Sequence, residues 1–254
     1  MKSLSADINR LLESLLADIR HIFQDRLIGL YLYGSLTTGD FDPDSSDIDL
    51  LVVISSQITA PEFEALRIMH RDFARANHEW EDRIDAVYLP VTALRRFRTE
   101  KSPIVISPGE PLHVREGEAL RDWLQNWYIV RESGIALCGS PPNAIIPPIT
   151  HNEFVEAVRR YAAEVSERVR RGDRKSQSYA ILTLCRALYV HRIGKQASKR
   201  QAAIWVQEQF PSWSRLIERA LVWRQAWREE NVDHTATYDE TILFIDLVRD
   251  QLLA

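Results

Sequence analysis

Residues 30–54, LYLYGSLTTGDFDPDSSDIDLLVVI, decide the fold. Two short apolar runs, 28–33 and 48–54, flank a polar loop. Both break at turn residues, so both read as buried strands. The loop holds Gly39, Pro43 and several Asp and Ser, so it must turn. Asp47 and Asp49 open the second run. Side chains alternate along a strand, so these acids face one way while Ile48 enters the core.

Like charges on neighbouring same-face positions repel and are costly without a cation. Mg²⁺ is the natural partner, because it takes carboxylates and completes its shell with water and substrate phosphates. Gly34 and Ser35 leave the first strand through a tight turn. A glycine there lets backbone N–H groups approach a phosphate, and the Ser35 hydroxyl can add a bond. One edge of the loop would hold a triphosphate and the other the metal that neutralises it.

Gly-Ser, a spacer, then Asp-x-Asp at a strand start resembles the DNA polymerase beta-type nucleotidyltransferase superfamily. Eleven residues separate Ser35 from Asp47. That is slightly more than the bacterial antibiotic-modifying members have, and the excess falls around residues 41–45. The bland alternative is two surface acids capping an ordinary strand. Gly-Ser, the alternating acids and both flanking strands occurring together argue against it.

The remaining sequence bounds the setting. The chain has 254 residues, enough for one large or two modest domains. Hydrophobic residues make up 45% and charged residues 27%, which is ordinary for a soluble globular protein. The net charge of −4 disfavours an extended nucleic-acid surface. Cys138 and Cys185 are too few for a disulfide framework or a zinc site. No apolar run is long enough to cross a bilayer, and the N-terminus lacks a signal-peptide pattern. The expected setting is the cytoplasm, where ATP and Mg²⁺ are available, with no membrane partner.

Residues 3–26 read as a helix with apolar positions at helical spacing and Ser3 as cap. Residues 61–77 read as a second helix, and both would cover the sheet. Residues 83–89 read as a third strand, stopped by Pro90 and interrupted by Asp85. The superfamily places a third carboxylate on a neighbouring strand, and Asp85 matches that position. In the aminoglycoside adenylyltransferases this acid is typically Glu and serves as catalytic base. Asp85 as base would take the proton of an acceptor hydroxyl; as ligand it would complete a metal site. An edge-strand Asp facing water is the bland alternative. Glu79, Glu81 and Asp82 precede this strand and would attract a polycationic acceptor, or simply form a solvated turn. Trp80 reads as packing.

Residues 91–148 are less legible. Arg95, Arg96 and Arg98 read as a solvated helix face. A helix over 123–130, a Gly134 turn and a short strand over 135–138 follow. Residues 139–148 hold four prolines and read as a linker. From residue 152 onward the pattern is helical, with five stripes at 154–169, 179–192, 198–209, 213–227 and 238–253.

The run YAILTLCRALYVHRIGKQASKRQAAIW carries a second resemblance, to the helical domain of streptomycin/spectinomycin adenylyltransferases. Arg186 and Lys199 match family positions that contact the nucleotide phosphates, and Lys199 opens a helix, where anions are favoured. Without the resemblance both would read as surface cations; Lys195 reads as solvent-exposed. The resemblance implies an α+β chain with a nucleotidyltransferase domain, a mixed sheet with helices, over 1–150. An all-α bundle over 151–254 follows. It implies Mg²⁺-dependent transfer of AMP from ATP to a hydroxyl of a small cationic molecule, an aminoglycoside-type antibiotic, by a monomer. Gly34, Ser35, Arg186 and Lys199 would hold the nucleotide and Asp47, Asp49 and Asp85 the metal. A nucleotidyltransferase with a protein or RNA acceptor and a non-catalytic nucleotide-binding protein are the rival readings.

Overall fold

The computed structural model describes residues 5–43, 46–107, 112–172, 176–225 and 235–253. The chain divides into two compact units, with the main break between Pro148 and Ile149.

The first unit is built on a six-stranded mixed sheet of order β5-β4-β3-β2-β1-β6. Its strands are β1 (Leu27–Tyr33), β2 (Ile48–Ile54), β3 (Ile84–Pro90), β4 (Lys101–Ser107), β5 (His113–Ala119) and β6 (Ile135–Gly139). Only β2 and β3 run parallel, and every other pairing is antiparallel. A parallel pair needs a crossover. Helix α3 (Ala60–Ala76) supplies it, started by Pro61 and a Thr59–Glu62 capping box. Helix α1 (Ala6–Phe23) buries Ile8, Leu12, Leu15, Ile19 and Phe23, whose spacing makes one stripe. Its cap is Ser5, which accepts from the Ile8 N–H at 3.3 Å. Ser3 lies outside the described residues.

Helices α1 and α3 pack with Leu30, Leu32, Ile48, Leu50, Val52, Ile54, Ile84, Ala86 and Tyr88 in one core. Those positions alternate along β1, β2 and β3, so they mark one face of the sheet. His70 of α3 meets the Tyr88 hydroxyl at 2.7 Å and ties helix to strand. Short helices α2 (Ser35–Thr38) and α4 (Val91–Arg95) follow β1 and β3. Helix α5 (Leu124–Ser133) buries Leu124, Trp127 and Val130 and packs on β1. Trp127 is 1% exposed, and its indole N–H donates to the Leu120 carbonyl at 2.8 Å.

The expected α+β class is what the structure shows. Two strands, β4 and β5, were not expected. HVREGEA on β5 has no apolar alternation, because β5 is the sheet edge, where charge discourages further pairing. The proline-rich stretch is not a loose linker. It contains α6 (Pro142–Ile145), and Ile145 and Ile146 are buried. The three arginines share no helix face: Arg95 ends α4, whereas Arg98 donates to the Pro148 carbonyl at 2.6 Å.

The second unit is helical: α7 (His151–Arg170), α8 (Gln177–Ile193), α9 (Lys199–Gln209), α10 (Ser214–Gln225) and α11 (Tyr238–Leu253). The expected fourth stripe runs past residue 225 to positions outside the described residues. Helix α8 packs against all four others and is buried on most of its surface, as a central helix must be. Its buried Gln177 accepts from Thr237 at 3.2 Å and Thr241 at 2.8 Å, satisfying polar groups inside the core.

Trp127→Ala should remove a large buried ring and its indole hydrogen bond to the Leu120 carbonyl. A stability loss of about 3–5 kcal/mol is expected in urea denaturation. A loss below about 1 kcal/mol would contradict the anchoring role.

Candidate functional site

Parallel pairing of β2 and β3 sets Ile48 beside Ile84 and Asp49 beside Asp85. On the other side of β2, Tyr33 of β1 is the register partner of Asp49. Tyr33, Asp49 and Asp85 therefore form one row across three adjacent strands, on the face opposite α1 and α3. Ile48 is fully buried on the helix-covered side, as alternation demands. Asp85 is not on an edge, because β3 lies between β2 and β4. Asp47 lies one residue before β2 and is exposed.

The electrostatics follow from this gathering. Burial, then the charge of Asp47, pushes Asp85 from 3.8 up to about 7, with Arg115 opposing. A carboxyl there holds a proton close to neutrality. Tyr33 is 6% exposed, and its hydroxyl is pushed well above 10.0. Burial is the main cause, followed by Asp85 and Asp49; a hydrogen bond from Asn126 on α5 opposes them. The phenol thus stays neutral between a carboxamide and the acid row. Tyr33 and Asn126 were not foreseen as site residues, since a tyrosine in an apolar strand reads as core.

Gly34 has φ +73°, a conformation that side chains rarely adopt, and a Cβ there would run into the Asp49 carboxylate. The Gly-Ser turn and the acid row are therefore direct neighbours. Ser35 begins the single turn of α2, in which the Thr37 and Thr38 hydroxyls both donate to the Gly34 carbonyl. Among the described residues, no three His, Cys, Asp or Glu side chains close around a metal-sized space. An open arrangement suits Mg²⁺, which keeps waters and substrate oxygens in its shell. Glu79 and Glu81 are exposed in the turn before β3, whereas Trp80 packs, stacked on Phe41 at 6.3 Å between ring centroids.

In the second unit, Lys199 is the first residue of α9, after the Ser198 cap. Its Nζ lies 4.8 Å above the centroid of the Tyr179 ring. Arg186 of α8 also acts on Tyr179, as does Arg168, and the Tyr179 and Tyr161 hydroxyls share a hydrogen bond. Burial leads Tyr161 in pushing the Tyr179 phenol up. Tyr179 as a whole keeps 38% of its surface exposed. The environment of the hydroxyl, where the charge would form, decides its titration. Arg186 and Lys199 are thus brought to one aromatic residue, while Lys195 is exposed.

Two family models match the chain. Residues 12–104 match the nucleotidyltransferase domain, and residues 144–246 match the aminoglycoside adenylyltransferase C-terminal domain. No curated protein matches. Among solved structures, the chain is similar to a spectinomycin adenyltransferase from Enterococcus faecialis, determined with ATP and spectinomycin. The identity is 19%, the TM-score is 0.73, and the likeness covers 97% of this chain and 99% of that one.

Asp85 makes stability depend on pH with a definite sign. Its folded pKa is raised, so between about pH 4 and 7 the folded state holds a proton that the unfolded state loses. Stability falls as pH rises through that window. The loss amounts to about 4 kcal/mol at most above pH 7. Asp85→Asn cannot suffer it. With EDTA present, the melting temperature of the variant relative to wild type should climb from pH 5 to pH 8. A difference that does not change with pH would refute the assignment.

Proposed function

Because the chain belongs to the aminoglycoside adenylyltransferase-like family, we propose that it transfers AMP from ATP to a hydroxyl of a small cationic acceptor of the aminoglycoside class. The supporting observation is the row of Asp49 and Asp85 on adjacent strands, with Gly34 against Asp49. Binding alone has no need of acids that repel one another.

The donor set fits Mg²⁺. All the candidate ligands are hard carboxylate oxygens, and burial, followed by the charge of Asp47, holds Asp85 toward its neutral form. Asp47 and Asp49 would hold the ion, with Asp85 beside them. Bound Mg²⁺ supplies charge neutralisation at the phosphates.

The chain's own groups do the rest. The Gly34–Ser35 turn receives the triphosphate, and the absent Cβ lets that turn sit directly against the Asp49 carboxylate. Asp85 accepts the proton of the acceptor hydroxyl. The hydroxyl oxygen bonds to the α-phosphorus in line, and the bond to the bridging oxygen breaks as pyrophosphate leaves. A base titrating near neutrality is suited to that transfer. Arg186 and Lys199 take up charge on the phosphates, since phosphoryl-type transfer is mostly positioning and electrostatics. Asp85, Glu79, Glu81 and Asp82 give the acceptor side a negative field, which favours a polyamine over a neutral sugar. ATP and Mg²⁺ point to action in the cytoplasm, and no helix among the described residues is long and apolar enough to cross a membrane.

The test is a pyrophosphate-release screen over aminoglycosides, spectinomycin and lincosamides with each nucleoside triphosphate. Release with ATP, abolished by EDTA, is expected for at least one cationic acceptor. Absence of release from every pair would overturn the reading. Asp47→Asn and Asp49→Asn should each abolish turnover without unfolding the chain, because an amide holds Mg²⁺ poorly and several kcal/mol of charge stabilisation depend on it. Wild-type rates in either variant at saturating Mg²⁺ would remove the acids from the mechanism.

Arg186→Ala and Lys199→Ala should act on the nucleotide instead. A charge-assisted bond is worth about 1.5–3 kcal/mol, so Kd for a non-hydrolysable ATP analogue should rise about ten-fold or more per residue. Calorimetry checks this, and unchanged affinity in both variants would return them to the role of surface cations.

A further inference from the structure

Arg83 is 3% exposed, although it precedes a strand in a charged turn. A buried guanidinium is costly unless its donors are used. Here they are used on the main chain. Nε and Nη2 both donate to the Ser46 carbonyl, at 3.0 and 2.5 Å, and Nη1 reaches the Glu79 carbonyl at 3.5 Å. The guanidinium lies 4.2 Å above the Trp80 ring, which stacks on Phe41 with only 7° between their planes. The Arg83 carbonyl in turn accepts from the Ile48 N–H at 2.8 Å.

These contacts bracket Asp47. The peptide before it is gripped by the Arg83 side chain, and the peptide after it by the Arg83 backbone. Asp47 stands outside the β2 ladder, so strand pairing alone does not fix it. Arg83 is also two residues from Asp85. We propose that Arg83 is a positioning residue that aims Asp47 at the metal held with Asp49 and Asp85. The fork fixes the backbone of one acid, and the chain of Arg83 leads directly into another. The proposal rests on the reading of these acids as metal ligands. Groups that orient metal ligands from behind change metal affinity about 10–100-fold when altered.

Arg83→Lys keeps a cation but loses the planar fork and its stacking. Trp80→Phe keeps an aromatic plate but narrows the support beneath the guanidinium. Mn²⁺ binding is followed by electron paramagnetic resonance in the presence of a non-hydrolysable ATP analogue. Turnover is measured against Mg²⁺ concentration. Arg83→Lys should weaken Mn²⁺ binding about ten-fold or more and raise the Mg²⁺ needed for half-maximal rate in parallel. Saturating Mg²⁺ should restore much of kcat, with KM for the acceptor unmoved. Trp80→Phe should shift both quantities the same way by less, and it decides the matter if Arg83→Lys does not fold. Lower stability without a selective change in metal dependence would make Arg83 merely structural and overturn the proposal. Asp47→Asn separates the layers. If it binds Mn²⁺ like wild type, the metal reading falls and the proposal with it. If it loses Mn²⁺ while folded Arg83→Lys and Trp80→Phe keep wild-type affinity, only the role of Arg83 falls.

Discussion

Mutual repulsion between carboxylates at the start of a parallel strand pair is the constraint on which the first unit depends. Asp49 and Asp85 are register partners, and Asp47 adds to the field at Asp85. A polypeptide does not gather like charges in one row for stability, since their mutual repulsion disfavours folding. The opposing energy comes from the other face of the same strands. Ile48, Leu50, Ile84 and Ala86 are buried there beneath α1 and α3. Alternation makes the two faces inseparable. A one-residue slip of either strand would bury an acid and expose an isoleucine, so the hydrophobic core enforces the register that creates the site. Under the proposed function, a cation held by these acids would contribute folding free energy as well as chemistry.

Much of this was legible in residues 27–54 because apolar runs, a Gly-Ser turn and Asp-x-Asp each carry a separate physical signal. β2 and α11 occupy the expected residues, and α3 falls within one residue of its expected span. Other features were hidden for identifiable reasons. HVREGEA is an edge strand whose charges serve to block pairing, so it lacks the alternation by which strands are recognised. Ser3 and Ser5 are both fit caps by composition, and the observed hydrogen bond goes to Ser5. The proline-rich stretch reads as a linker, yet Ile145 and Ile146 are core residues. Tyr33 and Asn126 were invisible because their proximity to the acids arises from β1–β2 pairing and α5 packing, neither of which is local in sequence.

The second unit illustrates what a resemblance adds to periodicity. Helical stripes alone predict the bundle but cannot separate a functional cation from a solvated one. Arg186 and Lys199 stand on different helices, and periodicity gives no reason for them to meet. The structure brings both to Tyr179. A cation over an aromatic face is partly desolvated and restricted in rotamer, so less entropy is lost when an anion arrives. Thus Tyr179 serves the two residues as a common platform, a role no spacing rule contains.

Arg83 shows the same logic at the acid row, in stronger form. An exposed aspartate before a strand leaves the orientation of its two flanking peptide planes unfixed unless something holds them. A neutral donor would satisfy the Ser46 carbonyl, but it would not span from that carbonyl to Glu79 while stacking on Trp80. Guanidinium does so because its donors are coplanar and its faces are weakly hydrated. The Ile48 N–H rung on the Arg83 carbonyl closes the bracket. On this proposal, precision at Asp47 comes from a buried cation behind the carboxylates, one that grips the peptides on both sides of it.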